Sequence, residues 1–244
     1  MLELTFLGSG NAFTPGGRYW SSFLANGRYL FDIPPTVLPH LKRLGQPAVN
    51  ISVVFITHFH GDHFAGLPFL LLEYAYLSPR RDDLHIIGPP GLGPFLEDFV
   101  ERCYPGLSEQ EAAYRRVHIE ADPTRSQNLG DLPFQAVRMQ HTSGRLDCFG
   151  YRVAVGGKIL AYTGDTEYCP QVPALAEDSD VLVVDATYSR GSGPDHMGLD
   201  DIRRLRKEIA PSTTIILTHL HEDPDLTGLD NVIVAQDFAT YHFP

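Results

Sequence analysis

The sequence predicts a mixed α/β layer structure, on three observations. Helix-period and strand-period segments alternate in both halves of the 244-residue chain. Two hairpins, turned at Asn26-Gly27 and at Gly156-Gly157, rule out a purely parallel sheet. No low-complexity segment or linker interrupts the pattern, so residues 1–244 read as a single domain with ample length for a core.

The elements follow in order. Residues 2–7 alternate as a strand and run into the Gly/Pro turn "GSGNAFTPGGR". "SSFLANGRYLFDI" is the first hairpin, and "TVLPHLKRLG" is a helix stopped by Gly45, with Pro39 as an irregularity. The run 51–56 is a buried strand; a histidine-rich loop and a helix from about Gly66 to Tyr76 follow. "LHIIGPPGL" is a strand ended by its prolines, and "PFLEDFVERCY" is a helix. In the second half, "PFQAVRMQH", "CFGYRVAVGGKILAYTGD" and "DVLVVDATYS" are strands. "LDDIRRLRKEIA" is then a helix with Ile202, Leu205 and Ile209 on one face, and "TTIILTH" is a further strand.

Composition narrows the function classes. Hydrophobic content of 43% and charged content of 20% are ordinary for a globular chain, and no apolar run approaches the ~20 residues of a membrane span. The N-terminus carries Glu3 and no basic region, as expected of a first strand rather than a secretory signal. Cys103, Cys148 and Cys169 are odd in number and lack a CxxC spacing, so neither a disulfide framework nor a thiolate zinc knot is expected, and a cytoplasmic setting fits. The net charge of −11 argues against long nucleic acid as a partner, because phosphate binding needs a basic face. Arg115-Arg116 and the run Arg203 to Lys207 are the basic clusters available, and the second reads as a solvated helix face.

The stretch "ITHFHGDHFAGL", residues 56–67, places His58, His60, Asp62 and His63 directly after an apolar strand. Four later strand-like runs also end on metal-competent residues: His141, Asp165, Asp185 and His219. Strand ends are where a rigid scaffold presents functional groups. Any one of these residues alone reads as an ordinary cap; four of them together with the HxHxDH motif do not. Five histidines and two aspartates (His58, His60, Asp62, His63, His141, Asp165 and His219) suffice for two metals with open positions. Imidazole and carboxylate ligands suit zinc, manganese or iron.

"THFHGDH", His141, "YTGDT" and "LTHL", in that order, resemble the metal motifs of the metallo-β-lactamase superfamily. The resemblance runs from "LTFLGSGNAF" to "NVIVAQDF". It is closest to the ribonuclease Z-like branch and its small phosphodiesterase relatives, supported by "DATYSRGSGPDHMGLDDI" and "LPFLLLEYAY". It implies a four-layer αββα sandwich with two mixed β-sheets. It also implies two divalent ions, zinc first and manganese or iron as alternatives. His58, His60 and His141 would hold one ion, Asp62, His63 and His219 the other, with Asp165 between them. His196 would serve as general acid, oriented by Asp185, and Asp62 would take part in proton transfer.

The resemblance implies a hydrolase, with a small phosphodiester as the expected substrate. A tRNA 3′-processing endonuclease, a lactonase or sulfatase, and a non-catalytic metal sensor or scaffold are the alternatives. The tRNA-cleaving members carry a long arm where this chain has only the hairpin between His141 and Asp165. "GGRYW" replaces their Arg-Asn pair, and "FDIPPTV" departs from their Asp-Cys-Gly pattern while keeping Asp32. His221 and the 8–18 loop are candidates for substrate contact, whereas His40, His85, His118 and His242 are expected to be structural or at the surface. The oligomeric state stays open, a homodimer included.

Overall fold

Side-chain alternation along the strands decides how this chain packs. In β1 (Leu2–Gly8), Leu2, Leu4 and Phe6 enter one apolar cluster and Leu7 another. The computed structural model, which describes residues 1–110 and 112–244, carries the same split through two seven-stranded sheets.

The first sheet has the order β14-β1-β2-β3-β4-β5-β6, from β2 (Ser22–Ala25), β3 (Tyr29–Phe31), β4 (Val53–Phe55), β5 (Leu84–Gly88), β6 (Arg116–Glu120) and β14 (Thr240–Phe243). The second is β13-β12-β11-β10-β9-β8-β7, from β7 (Gln127–Leu129), β8 (Leu132–Arg138), β9 (Phe149–Val155), β10 (Lys158–Tyr162), β11 (Val181–Asp185), β12 (Thr214–Thr218) and β13 (Val232–Val234). In each sheet one half is antiparallel and the other parallel. Most of the parallel halves are joined through helices: α1 (Val37–Arg43), α3 (Leu67–Tyr76) and α4 (Leu92–Cys103) on the first sheet, α5 (Gln171–Ala176) and α6 (Leu199–Glu208) on the second. Those helices cover the outer faces. Val54 and Ile86 pack with Leu41, Leu70 and Leu96 on one side, and Val184 and Leu217 with Leu175 and Ile202 on the other.

Between the sheets, Phe23, Phe31 and Phe55 stack across three adjacent strands at 4.6 and 4.8 Å between centroids. Tyr162 of the opposite sheet meets Phe23 edge-on at 5.1 Å. The four layers are those expected from the sequence. Both hairpin turns have left-handed residues, Asn26 and Gly27 (φ 49° and 65°) and Gly156 and Gly157 (φ 63° and 80°).

Several elements are absent from the sequence reading. Strands β6, β7, β13 and β14 are short edge or near-edge strands whose residues are largely half-buried or exposed, so their side chains carry little alternation. Helix α5 has six residues, too few for a period. The histidine loop contains a single helical turn, α2 (Gly61–Phe64), and α4 begins two residues ahead of the expected "PFLEDF" start. None of the helices is long and apolar enough to cross a membrane, among the described residues.

Candidate metal centre

β4, β8, β10, β11 and β12 deliver their C-terminal ends to one edge of the sandwich. His58 follows β4 in extended backbone, where alternate residues share a side, so His60 lies with His58 while Phe59 turns outward onto Phe95 at 4.6 Å. His60 then caps α2, whose single turn brings Asp62 and His63 back towards the same point. His141 follows β8, Asp165 follows β10, Asp185 closes β11, and His219 follows β12 in a left-handed conformation (φ 58°). Gly164, just before Asp165, has φ 60°, and a Cβ there would lie 2.7 Å from the Thr57 side chain. Only glycine lets the two strand ends approach so closely.

The seven residues proposed from the sequence converge in two groups. Ligand atoms of His58, His60, His141 and Asp165 lie within 4.8 Å of one another, as do those of Asp62, His63 and His219. Asp165 Oδ2 stands between them, 3.3 Å from Nε2 of both His63 and His219 and 3.8 Å from Nε2 of both His58 and His141. Nε2 of His58, His63 and His219 and Oδ1 of Asp165 are buried without a hydrogen-bond partner. Leaving such atoms unsatisfied costs about 1–3 kcal/mol each. Cations seated among them would satisfy all four, and the donor set suits zinc, manganese or iron.

Two buried carboxylates behind the cluster orient its rings in the same way. Asp32 (φ 55°) accepts the Thr57 N–H at 2.8 Å, the Thr57 hydroxyl at 3.0 Å, the Tyr162 hydroxyl at 2.8 Å and His63 Nδ1 at 2.8 Å. Asp185 accepts the Thr187 N–H at 3.0 Å, the Thr187 hydroxyl at 2.8 Å, the Thr166 N–H at 3.1 Å and His196 Nδ1 at 2.7 Å. Each threonine hydroxyl also touches a histidine, Thr57 meeting His58 Nδ1 at 2.9 Å and Thr187 meeting His219 Nδ1 at 2.8 Å. A hydroxyl has one proton, and it goes to an oxygen that can only accept, Asp32 for Thr57 and Asp185 or the His219 carbonyl for Thr187. His58 and His219 must therefore donate from Nδ1, which leaves the Nε2 lone pair facing the cluster. The Asp195 carbonyl fixes His141 in the same sense at 2.7 Å. Sequence reasoning assigned no role to Asp32, Thr57, Thr187 or Asp195. Asp32 directly follows the apolar run "YLF", so the strand-end rule that found the candidate ligands also reaches it.

The electrostatics fit a cation site. Burial, with His63 beside it, keeps His58 well below the usual histidine value and hence neutral. Burial opposes charge on His63 too, yet Asp165, Asp32 and Asp62 outweigh it and hold a proton on that ring. Asp62 and Asp165 are both held below the usual carboxylate range: burial works against them, and His63 for the first and His219 and His63 for the second prevail. At His196, burial lowers the value and Asp185 more than restores it, to about 9.

His196 and His219 open onto a cavity of about 410 Å³ whose wall includes Asn11, Phe13, Tyr188 and His221. The 8–18 loop and His221 thus reach the cavity, and Asn11 Nδ2 lies 3.4 Å from His221 Nδ1. His196 also shares a group with Asp165, Asp185 and His219, with ligand atoms within 4.8 Å. His40, His85, His118 and His242 belong to none of the clustered groups among the described residues. Within the basic clusters Arg115 pairs with Asp83, Arg116 with Glu97, Arg203 with Asp200 and Arg204 with Glu208, while Arg206 donates to the Thr213 carbonyl at 2.7 Å.

A family profile described as "Beta-lactamase superfamily domain" matches residues 27–220. A ribonuclease Z of Staphylococcus epidermidis is 25% identical, over 99% of this chain and 96% of that protein. That alignment runs over 309 positions against 244 residues here, so the relative carries insertions that this chain lacks. Among solved structures, human tRNase Z, short form, superposes with a TM-score of 0.75 at 25% identity, covering 99% of each chain. The metallo-beta-lactamase fold protein YhfI from Bacillus subtilis superposes with a TM-score of 0.78 at 20% identity, covering 98% of each chain.

Proposed function

We propose that this chain, which belongs to the beta-lactamase superfamily, is a phosphodiesterase that hydrolyses a small diester at a pair of divalent metal ions. The observation that carries the reading is Asp165 Oδ2 lying between the two groups, with Nε2 of His58, His63 and His219 buried around it and without a hydrogen-bond partner. His58, His60 and His141 would hold one ion, Asp62, His63 and His219 the other, with Asp165 shared and zinc the first expectation. Bound there, the pair supplies Lewis acidity and lowers the pKa of water towards ~7.

The protein's own groups do the rest. Asp62 sits beside the shared carboxylate with its charge held on, against burial, by His63, an acceptor that orients the attacking water and passes the released proton on to solvent rather than keeping it. Water oxygen adds to phosphorus, the bond from phosphorus to the leaving oxygen breaks, and its electron pair stays on that oxygen. His196 has Nδ1 committed to Asp185, which leaves Nε2–H to protonate the leaving oxygen. The short hairpin of β9 and β10 between His141 and Asp165 and the net charge of −11 support a small substrate. The three cysteines are free, which suits a cytoplasmic enzyme.

The second reading is tRNA 3′-end cleavage, favoured by the 25% identity to a ribonuclease Z over nearly the whole chain. Metal analysis together with a screen of small diesters, cyclic nucleotides, lactones, sulfate esters and precursor tRNA separates these. The expected result is close to two metals per chain, turnover of diesters, and loss of metal and activity together in His60→Ala. Full activity without metal would overturn the metal centre. Efficient cleavage of precursor tRNA at physiological salt would move the assignment to the second reading, and turnover of lactones or sulfate esters alone would remove phosphorus chemistry.

A further inference from the structure

The cavity beside His196 has two aromatic walls that the catalytic reading does not use. Phe13 is 82% exposed, more than any other exposed large hydrophobic side chain among the described residues. A single exposed phenylalanine is unremarkable on a mobile loop, but this one stands on an anchored turn. Asn11 N–H donates to the Leu220 carbonyl at 3.1 Å, one residue past His219, and Leu220 N–H donates to Ser9 at 2.9 Å. Phe13 N–H donates to Asn11 Oδ1 and the Trp20 indole to the Ala12 carbonyl, both at 3.0 Å. Arg18 ties the base of the turn to Ser9, Asp223 and the Ala235 carbonyl. Tyr188, on the facing loop, is fixed as well: its hydroxyl donates to the Pro194 carbonyl at 3.2 Å, and a Cβ at Gly193 would run into its ring. Arg190 adds a guanidinium to the same wall.

We propose that this cavity seats the leaving group of the substrate and selects one with a planar aromatic ring, a nucleoside or an aryl alcohol. Phe13 provides the stacking face and Tyr188 the opposite wall. The proposal rests on the phosphodiesterase reading for the term leaving group, because His196, which lines the same cavity, is the residue placed to protonate that oxygen. Two rigid aromatic surfaces and a cation suit a π system of any identity, since stacking depends on ring faces rather than on a hydrogen-bond code. The backbone turn that carries Phe13 and the ring of Tyr188 are tied down before the ligand arrives, so little main-chain ordering is needed on binding.

Calorimetric titration of the metal-loaded protein with methyl phosphate, phenyl phosphate and adenosine 5′-monophosphate tests this without turnover. Trp20, the chain's one tryptophan, is bonded to Ala12 beside Phe13 and supplies a fluorescence readout of the same event. The ring-bearing esters should bind roughly 5- to 100-fold tighter than methyl phosphate. Phe13→Ala should remove most of that advantage and Phe13→Tyr keep it, with metal content and methyl phosphate binding unchanged in both. Tighter binding of adenosine monophosphate than of phenyl phosphate assigns a nucleoside, and equal binding an aryl alcohol. Equal affinity of all three, or a ring advantage that survives Phe13→Ala, overturns the proposal. A ring advantage in a protein that hydrolyses no diester retires the phosphodiesterase reading and leaves the aromatic subsite standing.

Discussion

His196→Ala separates catalysis from metal holding, and the structure sets the size of the effect. The ring is bound to Asp185 at 2.7 Å, which raises its pKa to about 9. At pH 7 the imidazole is then mostly protonated, as a general acid must be. Removing it should slow an alkyl phosphodiester by ~10²–10⁴, the whole general-acid factor, and slow a nitrophenyl ester by far less, because that leaving group needs little proton. The assay is kcat against leaving-group pKa at saturating metal, with metal content measured alongside. Equal slowing of both substrates would show that His196 binds phosphoryl oxygens instead. Loss of metal would show that it acts as a ligand, a role its place among Asp165, Asp185 and His219 allows. The pH profile gives a second check. Activity that needs protonated His196 falls as pH rises through the ring's pKa, so the alkaline limb should lie at or below about 9, lower as the neighbouring cations add repulsion. Asp185→Asn leaves burial opposed only by the smaller effect of Asp165 and should move that limb to lower pH.

Two further outcomes follow from the groups behind the ligands. Asp32→Asn removes the charge and turns one of the two oxygens that serve Thr57, Tyr162 and His63 into a donor, so metal affinity should fall about 10- to 100-fold; an unchanged affinity in competition with a chelator refutes that role. His63 holds a proton in the metal-free protein, raised by Asp165, Asp32 and Asp62 over the opposing effect of burial, and a ligating ring must be neutral. Metal loading at pH 7 should therefore release protons, read as a dependence of binding heat on buffer ionisation enthalpy, and no dependence would show that His63 is already neutral before metal binds.

Much of the candidate site was legible in the sequence because His58, His141, Asp165 and His219 each sit just past the end of a buried strand. An apolar run ends when the chain leaves the core, and a histidine or aspartate at that point needs a reason to be there. His141, Asp165 and His219 were found by that rule, and Asp32 could have been. The threonine relays were not legible. Thr57 and Thr187 are ordinary strand-end residues in a sequence, and their work depends on which acceptor receives the hydroxyl proton. Edge strands such as β7 (Gln127–Leu129) and β13 (Val232–Val234) were equally silent, because backbone pairing with a distant partner, not side-chain pattern, makes them strands.

The sequence by itself determined the alternating apolar runs, the layer class they require, and the identity of the residues able to bind metal. Only the tertiary structure decided that His58 from one sheet and His141, Asp165 and His219 from the other meet at a single edge. It also decided that Asp32, far from Tyr162 along the chain, is bonded to it at 2.8 Å across the sheet interface. Local pattern reports how each segment meets water. Convergence of strand ends is set by how two twisted sheets pack on one aromatic core, a property of contacts between residues remote in sequence.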